Sequence, residues 1–191
     1  CNVHKNCVIE AIDAPSIYDV PILMQDEKLD IRVLEKLGLK SIKKPELKKW
    51  KVFLDHLKNP KKSVKIGLIG KYNELPDAYK SIYESFVHAG AANNTKVQVV
   101  AIHSEDLENK KTFKTELIGL DGILIAPGFG ERGIQGKINA IQFAREQKVP
   151  FLGICLGMQC ASVEFARNVL KIKDASSTEV NPHTPHPIID M

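Results

Sequence analysis

The spacing of apolar residues changes near residue 60. Before that point it is helical. Ser16–Gln25 is a short apolar stretch containing Pro21, and Leu29–Leu37 has helical spacing. Leu47, Trp50, Leu54 and Leu57 share one face of a helix predicted over Pro45–Leu57, with Pro45 suited to its first turn. Residues 58–63 are charged, contain Pro60 and show no period, which predicts a linker. From Val64 onward, short apolar runs alternate with helical stripes. Strands are predicted at Val64–Ile69, Val97–Ile102, Gly122–Ala126 and Val149–Ile154. Helices are predicted at Asp77–Gly90, from Ser104 through Ile118, at Gly136–Gln147 and at Leu156–Leu170. Strand and helix alternating four times predict an α/β fold, a parallel sheet with helices on both faces. Sites in such sheets lie at the carboxyl ends of the strands. The loops after Ile69, Ile102, Ala126 and Ile154 are therefore the ones to watch.

Composition narrows the picture a little. The 191 residues, 43% hydrophobic and 26% charged, suit one well-cored domain with part of a second. No apolar run reaches the roughly 18 residues that span a membrane, so no membrane partner is expected. Lys40, Lys43, Lys44, Lys48, Lys49, Lys51, Lys58, Lys61 and Lys62 crowd together. Without interleaved aromatics they predict a solvated face and linker, not a nucleic-acid site. The four cysteines, Cys1, Cys7, Cys155 and Cys160, form no CxxC pair and no metal-ligand spacing. That predicts a reduced, cytoplasmic protein with no metal site in this stretch. The chain starts with Cys and stops at Asp190-Met191 without a closing element, and is expected to be a fragment at both ends.

Chemistry enters at residues 153–157. Gly153-Ile154-Cys155-Leu156-Gly157 lies between a predicted strand and a predicted helix, which is the cysteine form of a nucleophile elbow. Side chains at 153 or 157 would strike the facing strand or helix, hence glycine at both. Cys155 then sits at the first turn of a helix, whose unpaired N–H groups favour an anion. The Leu156 N–H is placed to receive the oxyanion of a tetrahedral intermediate. The plainer alternative is a buried structural cysteine between packing glycines, which suits Cys160 better. The loop Pro127-Gly128-Phe129-Gly130-Glu131-Arg132-Gly133 supplies a second candidate oxyanion donor, the Gly128 N–H.

These stretches resemble a known family. Gly153-Ile-Cys-Leu-Gly-Met-Gln159 resembles the glutaminase signature of class I glutamine amidotransferases. Gly70–Ser81, Phe129–Ile138 and Ala175-Ser-Ser-Thr-Glu179 are similar to segments of the CTP synthase family, and Ser16–Pro21 resembles the end of its synthase domain. The resemblance implies an amidotransferase-like, flavodoxin-like domain at 64–191, truncated at its C-terminus. It also implies a helical tail of a second α/β (synthase) domain at 1–57, joined by a 58–63 linker. It implies amination of UTP to CTP with ATP and with ammonia released from glutamine, GTP as activator, and magnesium in a synthase domain beyond this chain. Cys155 matches the nucleophile; Gly128, Leu156, Gly157, Met158 and Gln159 match glutamine-binding positions. Glu179 matches the acid that meets the substrate amino group. Arg132 matches a lid arginine linked to GTP, and Ile12-Asp13-Ala14 a strip that contacts ATP. Ala126-Pro127-Gly128 departs from the Pro-Gly-Gly of many members, losing one N–H but keeping that of Gly128. A homo-oligomer, as a tetramer, is the implied assembly.

The base is expected to be missing. The family places a His-x-Glu pair downstream of the cysteine, whereas the only such triplet here, His103-Ser104-Glu105, lies upstream. It is better explained as the start of a helix at Ser104. His183 and His186 lie among prolines and predict loop positions. Two other functions stay open at this stage: a stand-alone amidase with the same elbow, or a non-catalytic amidotransferase-like regulatory domain.

Overall fold

The structure, a computed structural model, describes every residue except Cys1, Ser41, Ile42, Lys44, Pro76, Lys110–Thr112 and Met191. Lys44 of the lysine-rich run and Pro76 of the Gly70–Ser81 stretch therefore lie outside the described residues. The chain forms two compact units, Cys1–Pro60 and Lys61–Met191.

The first unit is helical. Ser16 caps a 3-10 turn at Ile17–Asp19 by accepting from the Tyr18 N–H at 3.1 Å. The turn runs into α1 (Val20–Asp26), with Pro21 in its first turn where no N–H partner is needed. α2 spans Leu29–Lys36 and α3 spans Lys48–Lys58. Pro45 does not open α3 as predicted; its carbonyl accepts from Gln25 Nε2 at 3.5 Å instead. Tyr18, Trp50 and Phe53 form an aromatic cluster, and Trp50 Nε1 donates to the Tyr18 carbonyl at 2.9 Å. Lys58 pairs at 2.5 Å with Asp19, whose side chain is only 12% exposed.

The second unit holds a four-stranded parallel sheet in the order β2-β1-β3-β4. Its strands are β1 (Lys62–Gly70), β2 (Thr95–His103), β3 (Gly122–Ile125) and β4 (Phe151–Gly153). The linker expected at 58–63 shrinks to Asn59–Lys61, because Lys62 and Ser63 already pair with Thr95 and Lys96. Their polar side chains stay exposed at the solvent end of the strand, so pairing costs no burial of charge. Alternate residues feed two cores. Leu68, Leu124 and Ala126 pack with Tyr79 and Ile82 beside α4 (Lys80–Ala92). Ile69, Ile123 and Ile125 pack on the other side with Ile138 and Ile141 of α6 (Ile134–Gln147), and with Leu156, Cys160 and Val163 of α7 (Leu156–Asn168). The sheet is thus covered on both faces. Ile69 pairs with Ile125, and Ile125 with Gly153, so all four strands end on one edge.

Two parts of this unit differ from the expectation. The helix expected from Ser104 is a 3-10 turn at Asp106–Glu108 and a short α5 at Phe113–Leu117. Ser104 caps neither. Its N–H donates to the Gly70 carbonyl at 3.0 Å, and a Cβ at Gly136 would lie 1.7 Å from the Ser104 carbonyl oxygen. The sheet and α6 pin it in place. A small parallel pair, β5 (Ala175–Ser177) and β6 (His186–Ile189), was not predicted. Ala-Ser-Ser has no apolar alternation to announce a strand.

Candidate active site

The elbow is built by close backbone approach. Cys155 has φ 52° and ψ −109°, a strained conformation for a residue with a side chain. A Cβ at Gly153 would lie 2.5 Å from the Gly157 carbonyl carbon, and one at Gly157 would lie 2.5 Å from the Ile125 carbonyl oxygen. Neither position tolerates a side chain without displacing backbone. The Ile154 N–H donates to Ile125 at 3.1 Å, and the Gly157 N–H to Ile154 at 2.9 Å. The Met158 and Gln159 N–H groups converge on the Cys155 carbonyl at 3.0 and 3.2 Å. Cys155 itself is exposed. Among the described residues, nothing accepts from the Leu156 N–H.

The loop after β3 is held differently. The Ala126 N–H donates to Ile69 at 2.8 Å. Beyond it, Gly128, Gly130 and Gly133 have φ of 148°, 82° and 71°, values open to glycine. The Gly128 N–H has no acceptor among the described residues. Two lysines not anticipated from the sequence meet this loop. Lys71, 5% exposed, donates through Nζ to the Phe129 carbonyl at 2.8 Å and also to the Gly130 carbonyl. Lys137, with no exposed surface, donates to the Ala126 carbonyl at 3.1 Å. Burial lowers the pKa of Lys137 to about 8; the Cys160 and Cys155 sulfurs oppose that shift and Lys71 adds to it. Burial, then the Arg132 charge, lowers that of Lys71, against the pull of Cys160, Glu179 and Glu105. The signals were faint: Lys71 directly follows the buried end of β1, and Lys137 interrupts the apolar side of α6.

These couplings gather Glu179, Arg132, Lys71, Lys137 and both cysteines into one electrostatic neighbourhood. Glu179 follows β5, half-buried, its N–H donating to Ser177 Oγ at 3.2 Å. Gln159 is half-buried with its Oε1 unpartnered, and Met158 is 55% exposed. Arg132 pairs with Glu105 at 3.1 Å on a polar cleft of about 480 Å³ that Lys71, Tyr72 and His103 also line. Cys160 is buried in the core and its thiol is pushed up to about 11 by desolvation. Ile12, Asp13 and Ala14 belong to the other unit, in a segment without regular structure.

His103 ends β2, at the sheet edge opposite β4. Three strand spacings, about 14 Å, separate it from the elbow's strand, and its triplet partner Glu105 is engaged by Arg132. It does not form a dyad with Cys155. His183 lies in a loop as expected, whereas His186 opens β6, paired with Ala175; both are exposed, and their side chains make no hydrogen bond to described residues. No group of three His, Cys, Asp or Glu among the described residues could hold a metal, and no described helix is long and apolar enough to cross a membrane.

A parallel α/β domain with an exposed cysteine on a strand-to-helix elbow, beside unengaged N–H groups, has the architecture of the nucleophile-elbow class. Residues 74–186 match the class I glutamine amidotransferase model, and the chain belongs to that family. It is 62% identical over its whole length to a CTP synthase of Cytophaga hutchinsonii, and 55% identical to one of Flavobacterium johnsoniae, covering 35% of each. The chain thus spans about a third of the length of the curated relatives it matches. Its fold is similar to the glutaminase domain of a Trypanosoma brucei CTPS with bound acivicin, at TM-score 0.64 and 37% identity, over 67% of this chain and 50% of that one.

Proposed function

We propose that the chain is the glutamine-hydrolysing part of a CTP synthase, with Cys155 as nucleophile. The observation that carries the reading is the strained, glycine-flanked elbow that exposes Cys155 beside the unengaged Leu156 N–H. The thiolate attacks the side-chain amide carbon of glutamine. The carbonyl oxygen becomes an oxyanion that accepts from the Leu156 and Gly128 N–H groups. The C–N bond breaks, the nitrogen takes a proton from the acid form of the base, and ammonia leaves. Water then attacks the thioester, releasing glutamate and restoring the thiol. This chain carries no His-x-Glu pair downstream of Cys155, and the family pattern assigns the base to such a pair. Gly157, Met158 and Gln159 line the glutamine site, and Glu179 meets the amino group of the substrate.

On this reading residues 1–57 close the synthase domain and 64–191 belong to the glutaminase domain. Ammonia passes to UTP activated by ATP, with magnesium held in the rest of the synthase domain. Ile12, Asp13 and Ala14 contact ATP, and Arg132 responds to GTP. The enzyme is a cytoplasmic ligase acting as a homo-tetramer. Support comes from the match to CTP synthases along the whole of this chain, about a third of their length, and from acivicin on the related glutaminase domain.

The test uses the full-length protein. It is expected to form CTP from UTP, ATP and glutamine, and Cys155→Ala to lose the glutamine-dependent reaction while keeping synthesis from free ammonia. Absence of CTP formation with ammonia would sink the synthase reading. Glutamine hydrolysis without any amination would point to the stand-alone amidase.

A further inference from the structure

Lys71 takes no part in the hydrolysis as written, yet it is an almost fully buried ammonium. Burying such a charge is costly unless acceptors surround it. Its described acceptors are the carbonyls of Phe129 and Gly130, consecutive residues just past the Gly128 oxyanion donor. A peptide plane is rigid, so fixing a carbonyl fixes the N–H that follows it. On the near side, the Ala126 peptide groups are already anchored, the N–H by Ile69 and the carbonyl by Lys137. Between these anchors stand two peptides, Pro127–Gly128, whose N–H is the oxyanion donor, and Gly128–Phe129. Pro127 restricts one of its flanking torsions, but Gly128 and Gly130, both at positive φ, leave the far side free to swing. The Lys71 backbone is itself held, its N–H donating to the Tyr79 hydroxyl at 3.1 Å.

We infer that Lys71 is a positioning residue for the oxyanion hole, clamping the Phe129 and Gly130 carbonyls so that the Gly128 N–H keeps its aim. The inference rests on the glutaminase reading and deepens it. The Lys71 ammonium is engaged by the loop carbonyls, and its proposed action is through the loop. An error on the order of 1 Å in the placement of a catalytic donor costs about 100-fold in rate.

The experiment compares Lys71→Met with the parent in the full-length protein, using three readouts. Glutamine hydrolysis should lose about 10- to 100-fold in kcat, with KM changed less than about threefold. Glutamate γ-semialdehyde, whose thiohemiacetal with Cys155 carries an oxyanion, should bind weaker by a similar factor. Alkylation of Cys155 by iodoacetamide, which forms no oxyanion, should proceed within about twofold of the parent rate. Lys71→Arg, which keeps charge and donors, should recover most of the kcat. If Lys71→Met does not fold, Lys71→Gln, uncharged but still a donor, is read for the same split. Unchanged kcat and aldehyde affinity would overturn the inference. So would alkylation that falls in step with them, since that marks a general structural role. A parent enzyme that neither hydrolyses glutamine nor binds the aldehyde would instead bring down the glutaminase reading itself, and the clamp with it.

Discussion

The two sides of the proposed oxyanion hole are held by different physics. The elbow is sealed by backbone against backbone. Gly153 and Gly157 each lie so close to neighbouring main chain that one added carbon would collide, and the N–H groups of Ile154, Gly157, Met158 and Gln159 are satisfied within the elbow or by β3. The loop after β3 is open backbone rich in positive φ, kept in place by ammonium groups from elsewhere in the chain. Local packing makes the nucleophile's side rigid without help. The other side depends on two side chains that share one electrostatic neighbourhood with Arg132 and Glu179. The proposed nucleophile is therefore fixed, and the proposed Gly128 donor is the adjustable half.

The comparison can be broken at the elbow with the largest effect. Cys155→Ala should lower glutamine hydrolysis by roughly 10⁴-fold or more, as loss of other nucleophiles does. A steady-state glutaminase assay reads it, and residual activity near the parent level would show that the elbow is not the catalytic centre. Gly157→Ala should come next. Its new methyl meets the Ile125 carbonyl at 2.5 Å, so the elbow must shift. We expect a stability loss of about 1–3 kcal/mol in denaturant titration and a rate loss of about 100-fold. A neutral result would mean that the elbow is softer than its contacts indicate.

Lys137→Met sharpens the other side. The native pKa of Lys137, about 8, lies below its ordinary 10.5, so the folded state holds this proton less tightly than the unfolded chain. Below pH 8 the lysine is charged in both states and its burial penalty is full. Between pH 8 and 10.5 the unfolded chain binds more protons, and stability rises with pH. Replacing the lysine by methionine should therefore stabilise the protein by about 1–3 kcal/mol near pH 6–7, net of the lost hydrogen bond, with the gain fading by pH 10.5. Thermal melts across pH read the trend; a gain that grows with pH would reverse the assignment. The smallest effect is expected at the rim. The Arg132–Glu105 pair is 59% and 44% exposed, so Glu105→Gln should change unfolding stability by less than about 1 kcal/mol. A larger loss in chemical denaturation would mean that the pair does more than decorate the cleft.

Reactivity offers one more contrast. Cys155 is exposed on the elbow, whereas Cys160 is buried with its thiol pushed up to about 11. An electrophilic glutamine mimic at pH 7–8 should label Cys155 and spare Cys160. Peptide mapping that found the label on Cys160 would contradict the elbow geometry.

Much of this molecule is written locally. Continuous apolar runs in Ile66–Ile69 and Gly122–Ala126 mark strands buried on both faces, and Gly-x-Cys-x-Gly marks a turn that only glycines allow. Such signals come from neighbours within a few residues, so the chain order alone determined the parallel α/β fold and marked Cys155 as the candidate nucleophile. The rest needed the third dimension. Ser104 has the look of a helix cap, but Gly70 and Gly136, far along the chain, claim its backbone. His103-Ser104-Glu105 has the letters of a catalytic pair, yet the strand order puts it on the wrong edge of the sheet. Lys71 and Lys137 read as ordinary lysines until folding buries them under one loop. Which carbonyls a buried ammonium meets is decided by packing between distant segments, and no local pattern carries that information.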